Sequence, residues 1–209
     1  MNVLLLAAGR GERLKPYTNE VPKCMISISG SPLLKIWLNK FVENEAIEKI
    51  YINTHYLSEI VHEFVMKTYG GNSKITLMRE QYLLGTGGTL INLIPSLLEN
   101  DLFVAHADNL SFFSLSSFYN SFYKRPKECT ITMMTFFCDD PSSCGIVTID
   151  DKNVVRGFEE KPHKSKSNLA NGAIYLLSTR ALHQIKAMQN VREISTDNIF
   201  ASSNFITFA

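Results

Sequence analysis

Cysteine is scarce in this chain, and none of the four (Cys24, Cys129, Cys138, Cys144) stands in a C-x-x-C pair. That excludes a paired-cysteine zinc site or dithiol motif and leaves free buried thiols in a reducing cytosol, so a cytoplasmic location is expected. The histidines His55, His62, His106, His163 and His183 form no H-E-x-x-H, and no serine sits in a G-x-S-x-G elbow. Zinc hydrolysis and acyl-serine chemistry are therefore excluded. Excess charge of either sign is missing too: a formal net charge of +1 offers no global field to hold nucleic acid or an anionic bilayer. No long hydrophobic run occurs; Val3 to Ala8 is too short for a membrane span and lacks the charged leader of a secretory signal. What remains, 209 residues at 45% hydrophobic, suffices for one substantial core, so a single domain over 1–209 is expected.

That N-terminal apolar run reads as a buried strand, and it feeds a loop built for an anion. Ala7, Ala8, Gly9 and Gly11 remove side-chain bulk, which lets backbone N–H groups approach a charged ligand. Arg10, Arg13, Lys15 and Lys23 supply cations against Glu12 and Glu20, on a segment stiffened by Pro16 and Pro22. A polyphosphate fits this loop. Two familiar phosphate motifs do not: the dinucleotide fingerprint wants a third glycine where Leu14 stands, and neither this loop nor Gly85-Thr86-Gly87-Gly88-Thr89 provides the lysine of a Walker loop.

Strand and helix patterns alternate along the chain, which predicts an α/β fold with a mostly parallel central sheet flanked by helices. Ser31-Pro32 has the form of an N-cap before a helix with Leu33, Leu34, Trp37, Leu38 and Phe41 at helical spacing, Trp37 being core. Lys49 to Asn53 is a strand, Ser58 caps a second helix that ends at Gly70-Gly71, and Lys74 to Arg79 is a further strand. Leu102 to Ala105 leads straight into Asp108, at a strand's carboxyl end. Ligands of open α/β sheets bind beyond the carboxyl ends, so Gly9, Glu80 and Asp108 should converge. Asp108 is the Mg²⁺ candidate, because a hard cation bridging triphosphate oxygens prefers carboxylate oxygen. By itself an Asp-Asn pair is more readily a helix cap or turn former ahead of Ser111 to Phe113; the strand context reverses that. His106 reads as a packed residue at the end of the same strand. The glycine cluster opens a helix through Ile94; beside it Glu80 can accept from guanine N1–H and N2–H₂, whereas Gln81 can serve a pyrimidine, so the base stays open. Further strands read as Cys129 to Phe136, Gly145 to Ile149, Val154 to Phe158 and Ala170 to Leu177.

Gly9, Gly11, Arg13, Leu14, Pro16, Thr18, Pro22 and Lys23 together resemble the G-x-G-x-R-L-x-P-x-T and P-K signature of sugar-1-phosphate nucleotidylyltransferases. "LGTGGTL" (Leu84 to Leu90) and "HADN" (His106 to Asn109) are similar to segments of the bacterial mannose-1-phosphate and heptose-1-phosphate guanylyltransferases. The resemblance covers essentially the whole chain. It implies a Rossmann-like, glycosyltransferase-A-like nucleotidyltransferase fold, with a nucleotide half over about 1–110 and an acceptor half over about 111–209. It implies nucleotide binding by Leu6, Ala7, Ala8, Gly9, Gly11, Glu80, Gln81, Gly85, Thr86, Gly88 and Asp108, with Mg²⁺ on Asp108. In the second half, "EEKPHK" and "NLANGAIYLL" resemble the family's E-K-P and N-x-G-I-Y elements, which makes Glu160, Lys161 and Asn171 acceptor residues, and Gly145 resembles the family's glycine under the sugar ring.

The implied reaction is an in-line displacement in which a sugar-1-phosphate oxygen attacks the α-phosphorus of a nucleoside triphosphate and pyrophosphate leaves. Arg13 would hold the departing pyrophosphate, Lys23 the α-phosphate and Lys161 the acceptor phosphate. GTP is favoured and CTP is the alternative; the product would be an NDP-sugar for cell-surface polysaccharide. The family's second metal-ligating aspartate, in a D-x-G-T type segment, has no counterpart after Asp197; Asp197 itself, in "STDNIF" (Ser195 to Phe200), reads as a first-turn helix residue. The sequence therefore reads as stopping short of that segment, with Phe205 to Phe208 as the next strand. Three competing readings follow: a nucleotide-binding module or fragment without turnover, a cytidylyltransferase with a non-sugar acceptor, and a glycosyltransferase, against which the lack of a D-x-D motif speaks. Homo-oligomerisation through Phe112, Phe113, Phe118 or Tyr119 is left open, since these can equally be core.

Overall fold

The structure is a computed structural model and describes residues 1–187 and 207–208. The expected helix at Ser195 to Phe200, Asp197 within it, and Phe205 and Ile206 of the last expected strand lie outside the described residues. The chain divides into two compact units, Met1–Thr89 with Leu102–Ser111, and Leu90–Asp101 with Phe112–Ala209.

The first unit begins inside its own sheet. Strand β1 (Asn2–Leu6) is buried throughout, as an apolar run with no polar alternation requires of a strand covered on both faces. A two-stranded ribbon follows, β2 (Ser27–Ile28) against β3 (Ser31–Pro32), and then helix α1 (Leu33–Phe41). The N-cap of α1 is Pro32, not Ser31: Ser31 is held in the ribbon opposite Ile28, so its hydroxyl makes no cap bond. Leu33, Leu34, Trp37, Leu38 and Phe41 are all buried, and Trp37 and Phe41 pack with Phe103 at ring separations of 5.0 to 6.2 Å. Side chains of this size each contribute on the order of 2 kcal/mol by leaving water.

Strand β4 (Lys49–Thr54) leads to helix α2 (Ser58–Tyr69) and strand β5 (Ile75–Arg79). Leu57, in the left-handed region at φ 49°, occupies the N-cap place expected of Ser58, whose hydroxyl donates to the Glu59 carboxylate instead. Gly70 closes α2 in the left-handed conformation, as a C-terminal glycine is expected to. Helix α3 (Gly85–Leu93) follows, and strand β6 (Leu102–His106) completes this unit's sheet. All its pairings are parallel: β1 lies between β6 and β4, and β5 lies outside β4. The register sets Leu6 beside Asn53 on one flank and beside His106 on the other, so three strands end at one level.

The second unit carries helix α4 (Leu115–Lys124), capped by the Ser114 hydroxyl accepting from Ser117 N–H at 3.2 Å. Its buried Phe118 and Phe122 face strand β7 (Ile131–Phe137). Strand β8 (Gly145–Ile149) is antiparallel to both β9 (Val155–Glu160) and β10 (Leu169–Leu177), and β10 is also antiparallel to β7. Helix α5 (Thr179–Ala187) packs Ala181, Leu182 and Ile185 inward, and β11 (Thr207–Phe208) runs parallel to β7. The fold class is α/β with helices flanking the strands, as expected. No helix among the described residues is long and apolar enough to cross a membrane.

Candidate functional site

Because β1, β4 and β6 end together, the segments after them are gathered at one edge of the first unit. There lies a cavity of about 220 Å³ lined by Leu6, Ala7, Ala8, Gly9, Lys23, Cys24, Asn53, Leu83, Gly85, Thr86, His106 and Asp108. Eight of these, Leu6 to Gly9, Lys23, Gly85, Thr86 and Asp108, are residues expected from the sequence.

The strongest contact in the cavity is ionic. Lys23 Nζ lies 2.6 Å from Asp108 Oδ2, each side chain about a quarter exposed, across a separation of 85 residues. The short helical turn Lys23–Met25 delivers the lysine, and the turn after β6 delivers the carboxylate. Trp37 fixes that turn from below, its indole N–H donating to the Asn109 carbonyl at 2.9 Å. Cys24, at 2% exposure, has its thiol pushed up to about 12, by burial first and by the Asp108 charge second, so it is a neutral wall of the cavity.

Gly11 needs its glycine. It sits at φ 66°, and a Cβ there would stand 2.8 Å from Thr18 Cγ2 and 3.3 Å from Lys23 Cβ. Thr18, fully buried, donates its hydroxyl to the Gly11 carbonyl at 2.9 Å. Gly11 is thus the hinge that folds the loop back toward Lys23. Arg13 and Gln81 are exposed and do not line the cavity. Gly88 lies one turn into α3 against Leu84. His106 borders the cavity with Nε2 3.4 Å from the Thr86 hydroxyl.

Glu80 stands behind the lining. Its Oε1 accepts from Asn53 Nδ2 at 2.9 Å and from the Thr89 hydroxyl, and its Oε2 accepts from the Leu84 N–H at 3.3 Å. Asn53, 3% exposed, also accepts from the Ala7 N–H through Oδ1 at 2.8 Å. Sequence reasoning passed over Asn53 and Thr89; the one available signal was the polar pair Asn53-Thr54 closing β4.

The expected acceptor residues are gathered within the second unit. Gly145 and Glu160 are cross-strand partners in β8 and β9, and a Cβ on Gly145 would lie 2.9 Å from Glu160 Oε2. Lys161 follows at φ 47°, its N–H donating to the Cys144 carbonyl at 2.9 Å and its ammonium 3.6 Å from Glu160 Oε1. A lysine in the left-handed region is uncommon and marks a position set by its surroundings. Asn171 lies beside the Ala170↔Ile146 pair, where β10 is irregular; its Nδ2 donates to the Tyr175 hydroxyl at 2.6 Å and its Oδ1 accepts from the Ala173 N–H.

Among the described residues no three His, Cys, Asp or Glu side chains form a metal cluster. The donor set nevertheless suits Mg²⁺, which binds through one or two carboxylates while triphosphate oxygens and water complete its shell. Asp108 would be that carboxylate.

The sequence profile of the family described as nucleotidyl transferase matches residues 2–202. The chain is 28% identical over 189 residues to the "Bifunctional protein GlmU" of Methanococcus aeolicus, covering 90% of this chain and 43% of that protein. It is 29% identical over 178 residues to a D-glycero-alpha-D-manno-heptose 1-phosphate guanylyltransferase of Campylobacter jejuni, covering 85% and 76%. The fold is also that of an inositol-1-phosphate CTP transferase from T. maritima, with a TM-score of 0.74 at 18% identity over 99% of this chain and 83% of that one. The chain thus spans less than half the length of the GlmU protein it matches.

Proposed function

Since the chain belongs to the nucleotidyl transferase family, we propose that it transfers a nucleoside monophosphate from a nucleoside triphosphate to a sugar-1-phosphate, releasing pyrophosphate. The observation that carries this reading is the Lys23–Asp108 pair opening onto a cavity whose floor is the strand-end loop Ala7–Gly9. A cation and a hard anion 2.6 Å apart neutralise each other in the free protein. A metal-bearing triphosphate gives each a new partner, since Mg²⁺, when bound, would be held by Asp108 and would offset charge on the triphosphate oxygens. Lys23 would then turn to the α-phosphate.

The acceptor phosphate is already a competent nucleophile at neutral pH. Its oxygen forms the new bond to the α-phosphorus as the bond to the bridging oxygen breaks, and pyrophosphate carries away the electron pair. Catalysis then requires orientation and charge neutralisation without a general base. Lys161 and Glu160 are assigned to the acceptor phosphate and sugar, Gly145 and Asn171 to the sugar edge, and Arg13 to the pyrophosphate. GTP is the proposed donor: Glu80 can accept from guanine, and the Campylobacter relative is named a guanylyltransferase. The product, a GDP-sugar made in the cytoplasm, would supply cell-surface polysaccharide.

Lys23→Ala tests the assignment. It should lower kcat on the order of a hundredfold, the usual cost of one charge-stabilising contact, with triphosphate Kd changed only a few-fold. Pyrophosphate release over four triphosphates and a panel of sugar phosphates reads the first quantity, and titration calorimetry the second. An unchanged kcat removes Lys23 from the mechanism.

A further inference from the structure

The first unit contains a buried junction that the reaction scheme leaves unused. Asn53, next to last in β4, uses both ends of its amide: Oδ1 accepts from the Ala7 N–H at 2.8 Å, and Nδ2 donates to Glu80 Oε1 at 2.9 Å and to the Thr89 hydroxyl oxygen at 3.0 Å. Thr89 in turn donates to the same Glu80 oxygen. One side chain therefore joins the loop after β1, the carboxylate after β5 and the first turns of α3.

The orientation of this amide is determined by its partners. Flipping it would set its NH₂ against the Ala7 N–H and its oxygen against the Glu80 carboxylate, two repulsive contacts in a buried place. The network also divides the two carboxylate oxygens of Glu80. Oε1 is committed to Asn53 and Thr89, while Oε2 has the 3.3 Å bond from Leu84 N–H, longer than the usual optimum. Oε2 is then the oxygen that donors on a base edge can claim.

We propose that Asn53, aided by Thr89, is a positioning residue that registers the phosphate loop against Glu80 and thereby sets the enzyme's choice of base. The proposal rests on the nucleotidyltransferase reading and deepens it. Asn53 touches no reacting atom in this scheme; it acts through Ala7 and Glu80.

The test compares wild type with Asn53→Asp, which keeps the acceptor for Ala7 N–H but turns a donor toward Glu80 into a second carboxylate. In Asn53→Asp the ratio of kcat/KM for the best triphosphate over the next best should fall at least tenfold. The triphosphate KM should rise while the acceptor KM stays within twofold, and the Ala7 amide should keep its slow hydrogen exchange. A merely structural role would move neither the base ratio nor one KM alone. Thr89→Val, which removes the hydroxyl that donates to Glu80 and accepts from Asn53, should lower the ratio several-fold, with Thr89→Ser restoring it, and this pair decides the matter if Asn53→Asp does not fold. An unchanged base ratio in folded Asn53→Asp, or in Thr89→Val where only that variant folds, overturns the proposal. If wild type releases no pyrophosphate with any triphosphate, the transferase reading fails. The Asn53 proposal is then judged on calorimetric Kd values for the four triphosphates: a narrowed spread in Asn53→Asp, or in Thr89→Val where only that variant folds, supports it, and an unchanged one overturns it.

Discussion

At the scale of single residues, the cavity mixes one charged pair with one deliberately uncharged thiol. The Cys24 thiol, ordinarily titrating near 9, is pushed up to about 12. The folded protein therefore holds this proton more tightly than the unfolded chain. The sign follows: the stability it contributes is fully present below pH 9 and is lost as pH rises from about 9 toward 12. Denaturation midpoints should fall across that window, and Cys24→Ala should flatten the alkaline slope even if it lowers stability at pH 8. A slope identical to wild type would show that the thiol does not titrate as a buried group. Asn53 teaches the complementary lesson about legibility. Gly9, Lys23 and Asp108, which line the cavity, could be read from sequence because their signals are local: a small residue or a charge just beyond a strand, or a lysine in a proline-stiffened loop. Asn53 is a lone amide at a strand end, and its meaning lies in partners 46, 27 and 36 residues away. No periodicity or motif encodes such a junction.

At the scale of elements, strands and helices were largely readable, since apolar runs and helical spacing report burial directly. β8 begins and ends where the sequence places it, at Gly145 and Ile149, and the α1 positions chosen for the core are the buried ones. The caps of α1 and α2 each lie one residue from where the sequence places them, for a physical reason. Ser31 is held in a β ribbon and Ser58 turns to its neighbour's carboxylate, while a leucine takes the left-handed cap of α2, a conformation nothing in its chemistry advertises. The β8–β9 pairing carries its own prediction. Gly145→Ala would place a methyl 2.7 Å from Phe158 Cζ and 2.9 Å from Glu160 Oε2, forcing ring and carboxylate apart. Overpacking of this kind costs about 1–3 kcal/mol. Stability by denaturant titration should drop accordingly, and the acceptor KM should rise at least tenfold with triphosphate KM unchanged. An unaltered acceptor KM would remove Gly145 and Glu160 from the acceptor site.

At the scale of the whole molecule, the family and the α/β class follow from a signature that extends well beyond the opening loop, and the match over residues 2–202 agrees with that breadth. Topology then supplies what spacing along the chain conceals: parallel strands of one register bring Ala7, Asn53 and Asp108 to one edge although they are far apart in sequence. The surface aromatics show the limit of pattern reading. Phe118 is core and Phe112 is 84% exposed, although both are phenylalanines of one segment and hydrophobicity alone assigns them alike. The central claim is that the Lys23–Asp108 pair serves the transfer of a nucleotidyl group onto a sugar phosphate. It is tested most directly with α-labelled triphosphates, Mg²⁺ and a panel of sugar-1-phosphates, following the label and the pyrophosphate together in wild type and Lys23→Ala. The account predicts label on one acceptor with one pyrophosphate per transfer in wild type, and transfer slowed on the order of a hundredfold in the variant. Bound triphosphate with no label on any acceptor, or equal transfer by both proteins, would contradict it.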